Sequence, residues 1–131
     1  MFSFPDDYEQ GWTLQNEIIK DGIGLHTGQK CGVLIKPTDL PGFHVSFSEE
    51  PDEITSIDIS QVRNTPLCTT LELNGKKVST VEHLLASLIG VGLTHVHLEI
   101  SGSEIPLLDG SAKVWIDEIE KAGMINSNTS P

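Results

Sequence analysis

Ser79-Thr80-Val81-Glu82-His83-Leu84-Leu85-Ala86-Ser87-Leu88-Ile89-Gly90 holds a short helix from about Thr80 to Ile89, ended by Gly90, and Thr94-His95-Val96-His97-Leu98-Glu99-Ile100, just downstream, reads as a strand. Turned by about 100° per residue, the first stretch gathers Val81, Leu84, Leu85, Leu88 and Ile89 on one face. That face is expected to be core. His83, Ala86, Ser87 and Gly90 lie opposite, with Glu82 at the boundary, so the outer face carries small residues where lysine or glutamine would be usual. Such a face invites close packing by substrate or by another domain. The second stretch alternates, placing Val96, Leu98 and Ile100 on one side and His95, His97 and Glu99 on the other. A one-sided helix beside a one-sided strand calls for a helix layer packed on a sheet.

The rest of the chain supplies that sheet. Trp12 to Ile19 contains strand-like alternation, Asp21-Gly22 is a turn signal, and Gly24-Leu25-His26-Thr27-Gly28 is a tight loop before a strand from Cys31 to Ile35 that Pro37 stops. Phe43 to Phe47 and Ile54 to Ile59 are short strands parted by Glu49-Glu50-Pro51-Asp52. Leu67 to Leu73 and Lys76 to Val78 flank Asn74-Gly75, the strongest hairpin signal present. A second helix is expected from about Ser111 to Ala122, closed by Gly123. The fold class is therefore α+β, a two-layer sandwich with a mostly antiparallel sheet packed against two helices. Residues 1–11 read as a polar arm, 12–124 as one domain and 125–131 as a disordered tail.

Charge narrows the partners. The net charge is −11, and Arg63 is the single arginine, so nucleic acid and anionic membrane surfaces are poor partners. A diphosphate is hard to grip without an arginine fork. Cys31 and Cys68 have neither metal-ligand nor redox spacing, and the N-terminal residues lack a secretory pattern. Free thiols in a cytoplasmic protein are the simplest account. The greasiest segment, Val81 to Leu93, is too short and too interrupted to cross a membrane.

Several motifs compete for chemistry. Gly22-x-Gly24 with Gly28 imitates a dinucleotide fingerprint, but its third glycine is misplaced and a strand follows where a helix is needed. Glu82-His83 offers a carboxylate and an imidazole side by side, suited to a metal-assisted hydrolysis. The same residues fit a plainer account, with Ser79-x-x-Glu82 as a capping box and His83 as a surface histidine. His95-x-His97 on a strand can bind zinc, or can simply be the polar face of a half-buried strand. His44 stands alone and carries no weight. The residues by themselves leave these alternatives open.

Four separated blocks resolve the choice. Gly22-Ile23-Gly24-Leu25-His26-Thr27-Gly28, Val62-Arg63-Asn64-Thr65 with Leu67-Cys68-Thr69, Ser79-Thr80-Val81-Glu82-His83-Leu84, and Glu104-Ile105-Pro106-Leu107-Leu108-Asp109-Gly110-Ser111-Ala112 follow one another in register. In that order they closely resemble the N-terminal domain of the UDP-3-O-acyl-N-acetylglucosamine deacetylases, zinc enzymes of lipid A synthesis. The resemblance runs from about Thr13 to Gly123.

The resemblance implies a protein of two similar halves, each a layer of strands against two helices, with the site between the helical layers. It implies that His83 is one of three zinc ligands and that Glu82 is the general base for water attacking the acetamide. His26, Leu67 and Cys68 are implied to line the site, with Asp109 a supporting carboxylate. Histidines at positions 95 and 97 have no role in the family. The other two ligands, a histidine acid, a lysine and most nucleotide contacts belong to the family's second half, beyond the residues present here. The expected partners are thus a UDP-sugar lipid substrate and a C-terminal deacetylase half. The contrasting expectation is a non-catalytic domain that uses its helical face for self-association or partner binding.

Overall fold

The computed structural model describes residues 10–24, 27–57, 62–64, 69–73, 76–79, 81–106, 108 and 112–130. In chain order its elements are β1 (Trp12–Leu14), β2 (Ile18–Ile23), β3 (Lys30–Pro37), β4 (Gly42–Phe47), β5 (Glu50–Ser56), β6 (Val62–Asn64), β7 (Thr69–Leu73), β8 (Lys76–Ser79), α1 (Glu82–Gly90), β9 (His95–Ser101), α2 (Ala112–Ala122) and β10 (Met124–Asn126). Five strands form the main sheet in the order β2-β3-β9-β4-β5; β6-β7-β8 and β1-β10 form two smaller sheets. All pairings of these named strands are antiparallel except β4 with β9. The fold is α+β, as the patterns require.

Alternation in the strands builds the core. Across the main sheet, Ile18, Ile35, Leu98 and Val45 stand in one row, and Val33, Ile100 and Phe47 in the next. Leu84 and Leu88 of α1 and Trp115 and Ile119 of α2 join the same core, all of them sealed from solvent. Each such side chain contributes roughly 1.5–3 kcal/mol on leaving water. α2 is also tied to the sheet edge, where Lys20 of β2 reaches Glu118 at 2.9 Å. That hydrogen bond holds the Glu118 carboxyl below the usual range. At its far end Gly123 adopts φ 82 and its amide returns to the Ile119 carbonyl at 2.9 Å, while the Asn16 side chain donates to the Ala122 carbonyl. A left-handed glycine closing the last turn is the expected device.

Several local expectations are corrected. The single strand from Trp12 to Ile19 is two strands in two sheets, and Asp21-Gly22 lies inside β2 instead of turning. Asp21 faces Gly32, whose lack of a side chain leaves room for the carboxylate. Glu50-Pro51-Asp52 belongs to β5 and not to a separator; β5 is an edge strand, the one place in a sheet where proline is tolerated. β6, which the pattern did not suggest, pairs with β7. The hairpin between β7 and β8 forms, with Leu73 opposite Lys76; Asn74-Gly75 themselves lie outside the described residues.

Helix α1 departs from expectation twice. It begins at Glu82 with Val81 as N-cap, so Ser79 of the alternative capping-box reading lies two residues before the N-cap position. Ser79 instead ends β8, its amide and carbonyl bonded to Ser103 and Ile105. The buried face is also rotated: Ser87 is 2% exposed and Ile89 is 60% exposed. The cause is α2. Ser87 Oγ donates to the His83 carbonyl at 2.6 Å, with the Ala112 carbonyl 3.2 Å away as a second acceptor. Small residues here let the two helices approach.

The opposite face of the main sheet is polar yet largely covered. His44 Nε2 donates to the Pro41 carbonyl at 2.8 Å, leaving Nδ1 to accept from Ser56. Ser46 and His97 share a hydrogen bond of 2.8 Å. His95 is fully buried, between Thr94 on Nδ1 and Thr129 on Nε2. Thr129 gives its own proton to the Asp39 carbonyl, so His95 donates through Nε2 and accepts from Thr94. Instead of a disordered tail, the C-terminal residues thus supply β10, paired with β1, and a strap over His95.

Two predictions follow from this packing. Leu88→Ala should lower unfolding free energy in denaturant melts by about 2–5 kcal/mol, whereas Ile89→Ala should cost under about 1 kcal/mol; equal losses would mean that α1 faces otherwise. Burial also lowers the pKa of His95 and of His97 from 6.5. For His95, nearby Asp39 opposes that shift and His44 adds to it. A depressed folded-state pKa means the unfolded chain binds protons first, so stability is full above pH 6.5 and falls as pH drops below it. Melts between about pH 7.5 and 5.5 should show this decline, and His95→Gln should flatten it.

Candidate functional site

Glu82 opens the first turn of α1 and His83 follows it, each half-buried. Their side chains leave the helix about 100° apart, so they flank one corner of the helix end and do not stack. A carboxylate in the first turn is also stabilised by the positive end of the helix dipole. Neither residue is needed by the apolar core, which α1 builds from Leu84, Leu88 and the flanking Val81 and Val91.

The start of this helix is a meeting point. Ser79, the last residue of β8, pairs with Thr70 of β7 on one side and forms a parallel bridge to Glu104 on the other. Glu104, fully buried, accepts a hydrogen bond from the Thr27 amide at 3.1 Å. Thr27 belongs to the loop joining β2 to β3, closed by Gly24 N to Gln29 O at 2.9 Å and Gly28 N to Gly24 O at 3.0 Å. Gly28, with φ 67, supplies its left-handed step. Leu108, farther along, holds φ 57, a conformation costly for leucine, while its side chain packs against the core.

Thr27, through Glu104, and β7, through Thr70, thus both meet the end of β8. Thr27 follows His26, β7 begins just after Leu67-Cys68, and Leu108 precedes Asp109. His26, Leu67, Cys68 and Asp109 themselves lie outside the described residues. Glu104 was quoted in the sequence pattern without a role; the signal that could have revealed it is Gly24, where any Cβ would strike the Glu104 carboxyl.

Among the described residues, no three histidine, cysteine or acidic side chains gather closely enough to hold a metal ion. His44, His95 and His97 are instead hydrogen-bonded to hydroxyls. His83 is thus the described histidine best placed to serve as a ligand, and it would be one of a set. A cleft of about 520 Å³ opens beside Asp21, Gly22, Ile23, Lys30, Cys31 and Ser101, none of them on α1. Its lining includes the Asp21 carboxylate and the Lys30 amine as well as apolar surface. Glu82 and His83 form a separate, half-covered corner at the start of α1.

Comparison with known proteins bears on this corner. The family model described as UDP-3-O-acyl N-acetylglycosamine deacetylase matches residues 11–131. Curated proteins named UDP-3-O-acyl-N-acetylglucosamine deacetylase are similar to the chain. The one from Saccharophagus degradans is 38% identical over 90% of this chain and 40% of its own length. That from Chromohalobacter salexigens is 37% identical over 86% and 38%, and that from Xanthomonas campestris 35% over 88% and 39%. The chain spans about 40% of the length of the first of these relatives. With four motif blocks in register on this α+β frame and a family match over nearly all of its residues, the chain belongs to the UDP-3-O-acyl N-acetylglycosamine deacetylase family.

Proposed function

We propose that this chain is the N-terminal half of a zinc-dependent N-deacetylase of lipid A synthesis, acting in the cytoplasm on the acetamide of UDP-3-O-acyl-N-acetylglucosamine. The observation that carries this reading is the adjacent carboxylate and imidazole at the opening of α1, unused by the core, in a chain of this family. A catalytic zinc site takes three protein ligands. His83 would supply one, and the others would come from a C-terminal half such as the relatives' extra length provides. Zinc, when held there, makes water more acidic and polarises a carbonyl.

Glu82 accepts a proton from the attacking water, whose oxygen bonds to the acetamide carbonyl carbon. The C–N bond then breaks as the nitrogen gains a proton, releasing acetate and leaving the free amine. His26, Leu67, Cys68 and Asp109 line or support the same site. The exposed face of α1, with Ala86, Ile89 and Gly90, is where the second helical layer packs. That exposed Ile89 also fits a second reading, a non-catalytic domain that associates with itself through this face.

Two measurements separate the readings. Mixed with a C-terminal half from a relative, the chain should release acetate from the UDP-sugar lipid, and Glu82→Ala should reduce the rate at least ~100-fold, the scale of a general base. No rescue, together with a stable homodimer in sedimentation, would favour the association module. Alone, the chain should bind zinc weakly by calorimetry, with His83→Ala removing most of the heat. Tight one-to-one binding that persists without His83 would contradict the half-site.

A further inference from the structure

The carboxyl of Glu104 is fully buried, and neither the core nor the proposed chemistry accounts for it. Burying an acid is costly unless its oxygens are used. One is: Oε2 accepts from the Thr27 amide at 3.1 Å, across 77 residues of sequence. The loop crosses so close above that a Cβ on Gly24 would collide with the same carboxyl and with the Thr27 hydroxyl. On its other side, the backbone of Glu104 is bridged to Ser79, and the Ile105 amide donates to the Ser79 carbonyl at 3.0 Å. Ser79 is three residues before Glu82. The nearby Cys31 thiol is raised by burial, then by Glu104 and Asp21, in keeping with an acid embedded beneath the loop.

We propose that Glu104 is a positioning residue, its buried carboxyl clamping the two residues that flank Leu25-His26, Gly24 and Thr27, onto the strand end that launches Glu82 and His83. This rests on the reading that His26, Glu82 and His83 serve one site. Glu104 acts through its neighbours, fixing the distance between two segments that come from different hairpins. A glutamine keeps an acceptor oxygen for Thr27, whereas an alanine removes it.

Amide hydrogen exchange in the chain itself tests the clamp without any activity. In Glu104→Ala the Thr27 amide should exchange at least ~10-fold faster while β3 and β9 amides stay protected, and Glu104→Gln should lie within ~3-fold of the parent. Unchanged Thr27 exchange in Glu104→Ala overturns the clamp, as does loss of protection across the whole sheet in Glu104→Gln. If Glu104→Ala does not fold, Gly24→Ala decides, since its methyl group pushes on the same carboxyl from the loop side. With the C-terminal half added, Gly24→Ala should lose at least ~10-fold in kcat while the β3 and β9 amides stay protected, a loss of local geometry without global unfolding; parent-like kcat overturns the proposal. Should the parent protein show no deacetylation, the proposed function fails, and the Thr27 exchange rates still decide the role of Glu104.

Discussion

Strand β9 runs between β3 and β4 with both edges paired, and each of its faces is covered. Covering both faces of a strand whose side chains alternate apolar and polar forces two different solutions. Val96, Leu98 and Ile100 find the helix layer. His95 and His97 must find partners within the protein, because a buried polar atom without one costs a few kcal/mol. Thr94, Thr129 and Ser46 provide them, and no described buried side-chain nitrogen or oxygen is left unsatisfied. The hydroxyl network therefore explains the His-x-His motif without a metal. It also explains why the C-terminal residues lie down on the sheet: Thr129 closes the cover over His95 and is itself held by Asp39.

What the sequence revealed and what it hid divide along the same line. Periodicity exposed α1, α2, β3 and β9, since each declares its face through its own neighbours in the chain. Several of the errors involve a partner that the local pattern cannot show. Asp21-Gly22 looks like a turn until Gly32 is seen opposite it. Ser79-x-x-Glu82 looks like a cap until the Ser79 backbone is found in a ladder with Ser103 and Ile105. Ile89 looked like core and Ser87 like surface because the pattern could not show α2 arriving beside Ser87. The proposed site rests on Glu82-His83, the pair that a resemblance singled out. Glu104 stayed hidden because its meaning lies in Gly24 and Thr27, remote in sequence and adjacent in space.

The fold leaves the carboxylate and imidazole at the opening of α1 outside its hydrophobic core. α1 anchors itself through Leu84 and Leu88, and α2 through Trp115 and Ile119, so the residues at the helix opening carry little of the folding energy. A half-buried acid and imidazole there can be held at modest cost, since neither is desolvated as a core residue would be. A second helical layer placed over Ala86, Ile89 and Gly90 would change that balance. It would draw water away from the corner and strengthen every charge interaction within it. The loop flanking His26 and the strand entering α1 would then need a fixed spacing before the layers met. A short, buried carboxyl bridging the two supplies a spacing that a flexible surface contact cannot, because close-packed surroundings leave it no other arrangement.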